Sequence, residues 1–404
     1  MKRFEHIQGG VTAALGFRAA GVGAAIKTPG RRDVALLVAD QPAAVAAVYT
    51  TNRVAAAPVR LDRRRTRAGR AQAVLVNSGC ANACTGEQGL RDAERSAEVA
   101  AEALGIDSEL MLVCSTGVIG VHLPMERLLD GARRAAAALS REGGDDAAHA
   151  IMTTDTVDKQ VAVKLTLDGR EVHIGGMCKG SGMIEPNMAT MLGFLTTDAA
   201  VDPIALDAAL RTAVGVSFNR LVVDGDRSTN DTVILFASGA AGTATLDEGH
   251  PDWPLFVDAL TQVCTELGQK MVMDGEGATK FVTVRVRGAK DAADAQKVAR
   301  AIAKSPLVKT SWYGMDPNWG RVIAAAGYSG AEMDESKTQI FYGDLCAFDC
   351  GRVATEEELA AMKAIMRQRA FDVTVDLHLG SGEDRIFTCD ISHEYVTINA
   401  DYTT

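Results

Sequence analysis

Gly175-Gly-Met-Cys-Lys-Gly-Ser-Gly-Met-Ile-Glu-Pro-Asn-Met-Ala-Thr190 is the stretch that sets this chain apart. Four glycines within eight residues, 175–182, permit backbone conformations closed to other residues. Pro186 and Asn187 suit a turn just ahead of the apolar run 188–195. Outward from this segment, apolar β-rich runs alternate with longer amphipathic ones, the pattern of an α/β protein. Strands are predicted over 73–77, 112–115, 161–167, 221–224, 232–237, 281–287, 373–379 and 385–391. Helices are predicted over 88–104, 124–139, 203–216, 252–271, 289–303 and 355–369. Thr355 followed by Glu357 and Glu358 suits the start of the last helix. The polar stretch 141–146 reads as a surface connection, and no repeat or Pro/Ser-rich linker marks a domain boundary.

At 404 residues the chain exceeds the size at which one core usually stops growing, so two lobes are expected. Apolar residues at 47% and charged ones at 23% give an ordinary globular balance. A net charge of −10, with no basic stripe carrying aromatics, argues against a nucleic-acid partner. The one basic stretch, 60–70, reads as solvated surface. No apolar h-region follows Lys2 and Arg3, and no run is long enough to span a bilayer, so a cytoplasmic protein is expected. The eight cysteines are then expected to be reduced and packed. Cys80/Cys84 and Cys346/Cys350 lack zinc-ligand spacing and a nearby His pair, so no metal is expected.

Most enzyme signatures are absent. There is no Walker loop, no Gly-x-Gly-x-x-Gly after a strand and no Gly-x-Ser-x-Gly elbow around Ser181. The seven histidines are scattered and none lies in a glycine-rich segment. A nucleophile that needs no histidine remains. A threonine with a free α-amino group carries its own base, because that amine has a pKa near ~8. Within a chain such a threonine is exposed only when the preceding bond breaks. Ala189–Thr190 suits this, with a small residue before the bond, glycines upstream and an apolar segment behind. The alternative is an ordinary Thr opening a buried strand.

The segment 179–192 closely resembles the processing segment of the ornithine acetyltransferase family, also called glutamate N-acetyltransferase. The resemblance runs through nearly the whole chain. Gly9-Gly-Val-Thr-Ala13, Thr50-Thr-Asn52, Asn77-Ser-Gly-Cys-Ala-Asn82, Ser115-Thr-Gly-Val-Ile-Gly120 and Thr153-Thr-Asp155 follow in the family's order. Asp224-Gly-Asp226, Ser228-Thr-Asn-Asp231, Gly275-Glu-Gly-Ala-Thr279, Asp316-Pro-Asn-Trp-Gly-Arg321 and Asn399-Ala-Asp-Tyr-Thr-Thr404 continue it. Ala14-Leu15 and Arg227 are small departures.

The resemblance implies layered mixed β-sheets flanked by helices in two lobes, similar to self-processing enzymes with N-terminal nucleophiles. It implies cleavage between Ala189 and Thr190 into an alpha chain, 1–189, and a beta chain, 190–404. Thr190 would then be the nucleophile, and Thr116 and Gly117 the oxyanion hole. Substrate contacts would come from Thr153, Lys179, Thr190, Glu276, Asn399 and Thr404, with Thr154 a close rival to Thr153. Lys179 would project from a flexible glycine loop to hold an α-carboxylate, and Glu276 would pair with a δ-amine. The implied reaction carries acetyl from N-acetylornithine to glutamate without metal or organic cofactor. The fragments would stay paired, as α2β2. Acetyl-CoA as a further donor, a self-processing aminopeptidase and a non-cleaving binding protein are the alternatives. The segments 224–231 and 316–321 read as supports of the site.

Overall fold

The structure, a computed structural model, describes residues 4–28, 30–185 and 191–401. In chain order its first strands are β1 (Glu5–Ile7), β2 (Phe17–Val22), β3 (Val34–Tyr49), β4 (Arg70–Cys80) and β5 (Met111–Val118). Next come β6 (Lys159–Leu167), β7 (Arg170–Lys179), β8 (Leu192–Thr197), β9 (Leu221–Val222) and β10 (Thr232–Ala237). The remainder are β11 (Phe281–Ala289), β12 (Gln339–Tyr342), β13 (Leu345–Asp349), β14 (Arg352–Val353), β15 (Ala370–Asp376) and β16 (Gly382–Cys389). The helices are α1 (Ala57–Arg65), α2 (Gly86–Leu104), α3 (Met125–Ala137), α4 (Gly144–Ile151), α5 (Pro203–Val216) and α6 (Trp253–Met273). They continue with α7 (Ala292–Lys304), α8 (Pro306–Tyr313), α9 (Trp319–Gly327), α10 (Glu356–Met366) and α11 (His393–Asp401).

Two mixed sheets result, both flanked by helices. The larger runs β1-β6-β7-β8-β10-β3-β4-β5, with β2 also on β3. The smaller runs β14-β13-β12-β15-β11-β16-β9. Strand alternation decides which side chains reach which layer. On β10, Val233 and Leu235 enter the core shared with α5 and α6, while Ile234 and Phe236 enter the opposite core with α4. In the smaller sheet Val282, Val284 and Val286 face α7. The intervening Arg285 and Arg287 pair across the outer face with Asp372 (2.9 Å) and Asp376 (2.6 Å). The expected two lobes are thus two sheets with separate cores, but they interlock. β9 lies between α5 and β10 in the chain yet completes the smaller sheet beside β16.

Several expectations need correction. The strand list omits β3, sixteen residues long, because Asp40-Gln-Pro42 interrupts its apolar run. The pairing with β4 shifts register between Val38 and Ala43, which accommodates the proline. The 60–70 stretch is not merely solvated, since α1 buries Leu61, Asp62 and Arg65. Part of 141–146 belongs to α4, and residues 289–291 precede α7. Gly175 and Gly176 are strand residues of β7. A side chain at Gly175 would meet the Gly10 carbonyl at 2.0 Å, so close packing is what that position requires.

Candidate active site

β4 and β5 run parallel and bring Gly79 opposite Gly117. Gly117 has φ +132°, and a Cβ there would lie 2.3 Å from the Gly79 carbonyl carbon. Only glycine fits. The register is irregular at this point, with Cys80 opposing both Thr116 and Val118. Asn230 braces the strand end, its Nδ2 donating to the carbonyls of Ala81 (2.6 Å) and Ser115 (2.8 Å). β5 is a sheet edge, and α1 covers it. The Val113 N–H donates to Asp62 at 3.0 Å, and the Met111 carbonyl accepts from Arg65 Nη1 at 2.5 Å. Burial pushes the Asp62 carboxyl well up, against the opposing pull of the Val113 N–H and Arg65.

Lys179 is the last residue of β7 and is 3% exposed, so it does not project from a flexible loop as expected. Its Nζ donates to Thr116 Oγ1 at 3.4 Å. Burial pulls the ammonium below the ordinary lysine range, and Asp155, Asp231 and Glu276 oppose that pull. Thr153 and Thr154 line the same cleft. The Thr154 hydroxyl is engaged with Ser181 Oγ at 2.7 Å, whereas the Thr153 hydroxyl has no bond among the described residues. Of the two, Thr153 is thus the one whose hydroxyl is left open among the described residues.

Across the cleft, Glu276 is buried and its backbone N–H donates to the Ser181 carbonyl at 2.9 Å. Oε2 accepts from Asn399 Nδ2 at 2.8 Å, which ties α11 to the site. A Cβ at Gly182 would fall 2.4 Å from the Glu276 carboxylate, so the fourth glycine of the quoted stretch makes room for this acid. The cleft is therefore lined by the Lys179 cation, by Thr116 and Gly117, and by the Glu276 carboxylate.

Ala189, Thr190 and Thr404 lie outside the described residues, but both flanks of the first two are placed. Asp224 accepts from the N–H groups of Met183 (2.5 Å) and Ile184 (2.8 Å), and the Glu185 N–H donates to the Asp226 carbonyl at 2.9 Å. On the far side the Met191 N–H donates to Asp231 Oδ1 at 2.8 Å. The segment 224–231 thus holds the chain before and after the expected cleavage point. Asp155, Asp224, Asn230 and Asp231 were not picked out individually from sequence, although each sits in a quoted motif. The segment 316–321 stays away from the cleft: Asn318 caps α9, and Arg321 Nη1 donates to the Leu307 carbonyl at 2.7 Å. Among the described residues no group of three His, Cys, Asp or Glu could hold a metal ion, and no helix is long and apolar enough to cross a membrane.

The model of the ArgJ family matches residues 18–404. The arginine biosynthesis bifunctional protein ArgJ of Symbiobacterium thermophilum is 54% identical over 402 residues, covering 99% of this chain and 100% of that one. The chain belongs to the ArgJ family. Another ArgJ relative, from Geobacter sulfurreducens, is 52% identical over 389 residues, covering 96% and 99% of the two chains. Among solved ArgJ structures, the arginine biosynthesis bifunctional protein of Bacillus halodurans is 41% identical. It matches 51% of this chain and 97% of its own at a TM-score of 0.49. The ornithine acetyltransferase of Mycobacterium tuberculosis, complexed with ornithine, is 44% identical and matches 45% of this chain and 98% of its own at a TM-score of 0.43.

Proposed function

We propose that this ArgJ-family acyltransferase of arginine biosynthesis cleaves itself at Ala189–Thr190 and then carries acetyl from N-acetylornithine to glutamate as a Thr190 ester. The observation that carries this reading is the cleft itself: Thr116, Gly117 and Lys179 meet at the ends of β5 and β7, and β8 opens two residues after Thr190. The Thr190 hydroxyl adds to the Ala189 carbonyl, the C–N bond breaks to leave an ester, and water releases the Ala189 carboxylate. The freed amine then takes the hydroxyl proton as Thr190 attacks the acetyl carbon. The Thr116 hydroxyl and Gly117 N–H are suited to the oxyanion. Ornithine leaves with a proton, and the glutamate amine attacks the ester.

Cleavage would fall in the hairpin between β7 and β8, whose register runs from Ile174 opposite Thr197 to Lys179 opposite Leu192. Both fragments then share one sheet, which supports their staying paired; α2β2 assembly and a cytoplasmic location are part of the same reading. No metal or organic cofactor is needed. The bifunctional names of the relatives favour acetyl-CoA as a second acetyl donor. The test offers N-acetylornithine or acetyl-CoA separately with glutamate and reads N-acetylglutamate. N-terminal sequencing of the fragment 190–404 should give Thr-Met-Leu-Gly. A fully active intact chain would overturn the scheme.

Glu276 reads the donor in this scheme. Its Oε1 takes no bond from the described residues and is open to a δ-ammonium. Glu276→Gln keeps the shape and removes the charge. Loss of a charge-assisted bond costs about one to two decades in kcat/KM for N-acetylornithine. An acetylated amino acid without the δ-ammonium should be spared. Equal losses for both donors would assign Glu276 to the fold instead.

A further inference from the structure

Asp155 lies beneath the cleft, its side chain fully buried. Oδ1 accepts from the backbone N–H of Gly180 at 2.7 Å and from Lys159 Nζ at 2.7 Å. Oδ2 accepts from the backbone N–H of Thr153 at 3.0 Å. One carboxylate therefore ties the 153 loop to the residue that follows Lys179. Lys159 is itself fully buried, and its Nζ also donates to Asp274 Oδ2 at 2.5 Å and to the Val157 carbonyl at 3.1 Å. Asp274 in turn accepts from the Thr156 N–H at 3.0 Å. A buried ion pair of this kind contributes little net stability over apolar packing, so its presence here calls for a role in placement.

We propose that Asp155 is a positioning residue of the active site, which sets Thr153 and Lys179 in register and supplies the counter-charge that keeps Lys179 protonated when a substrate carboxylate arrives. The inference rests on the reading of Lys179 as the carboxylate-binding cation. The charged groups acting on Lys179 are Asp155, Asp231 and Glu276, which favour its protonated form, and Lys159 and Lys27, which oppose it. Burial disfavours the Asp155 carboxylate, yet Lys179, Lys159 and the Gly180 N–H outweigh it and hold its pKa at about 2. Asp155 is thus ionised throughout the working range, and its charge on Lys179 is constant.

Asp155→Asn tests this. A protonated Lys179 is required to bind the carboxylate, so activity falls as pH rises through the Lys179 pKa. Removing the Asp155 charge lowers that pKa further. The alkaline limb of kcat/KM for N-acetylornithine should move down by roughly one unit or more, with KM raised about tenfold at neutral pH. Asp274→Asn is the control, because it also strips a partner from Lys159 but leaves Asp155 on Thr153 and Gly180. A limb that stays in place in Asp155→Asn, or moves equally in both variants, would overturn the proposal. If Asp155→Asn does not fold, Asp155→Glu serves: it keeps the charge but displaces the bonds to Thr153 and Gly180, so KM for N-acetylornithine should rise about tenfold, and an unchanged KM is equally fatal. Lys179→Met separates the two claims. If it leaves KM for N-acetylornithine unchanged, the carboxylate-binding reading itself fails; if KM rises while the Asp155 variant behaves as wild type, only the role of Asp155 fails.

Discussion

Thr190→Ala is expected to yield one uncut chain of 404 residues with no transferase turnover. The hydroxyl is needed twice, first to attack the Ala189 carbonyl and then to hold the acetyl group, and alanine removes it from both steps. The fold should survive, because the neighbouring backbone is anchored independently. Met183 and Ile184 hang on Asp224, and Met191 hangs on Asp231. Thr190→Ser keeps the hydroxyl and should still cut, with reduced turnover. Mass spectrometry under denaturing conditions and a steady-state assay decide the matter. Fragments in the alanine variant, or wild-type turnover from it, would remove Thr190 from the mechanism.

Thr116→Ala should lower kcat by roughly two to three orders of magnitude, the usual effect of deleting one oxyanion donor. Thr116 sits at the irregular end of β5 beside Gly117, and Lys179 Nζ donates to its Oγ1 at 3.4 Å. That bond occupies a lone pair of the hydroxyl and leaves its proton free to face the cleft. Maturation passes through a similar tetrahedral oxyanion, so fragment formation should slow as well, visible in a time course after synthesis. Thr116→Ser should recover most of both rates. An alanine variant with unchanged kcat and an unchanged cleavage rate would exclude Thr116 from the oxyanion hole.

Much of the architecture was legible because burial imposes its period on the chain. The strand over 232–237 and the helix over 203–216 coincide with β10 and α5, where a short unbroken apolar run buried on both faces and an Asp202–Pro203 start leave little choice. β3 was hidden because a proline inside a central strand reads as a break, and only its bulge against β4 explains how the strand continues. The basic stretch in α1 looked solvated because local charge says nothing of a strand edge lying beneath it. Residues that line the cleft were likewise visible in quoted motifs: a glycine after Thr116 and a lysine among glycines.

What the sequence by itself determined was the alternation of strands and helices that makes an α/β protein, and what it offered at Ala189–Thr190 was an expectation, since both depend on neighbours within a few residues. What only tertiary structure decided was how distant residues share one charge balance. Lys179 became a buried cation at a strand end because β7 pairs with β8, and Asp155 became its counter-charge because β6 brings Lys159 opposite Cys178. Gly182 matters through Glu276, nearly a hundred positions away, because a Cβ there would overlap that carboxylate. The segment 224–231 supports both sides of the expected cleavage point through hydrogen bonds that span about forty residues. Contacts of this range depend on how sheets and loops close on one another, and local sequence pattern carries no record of that closure.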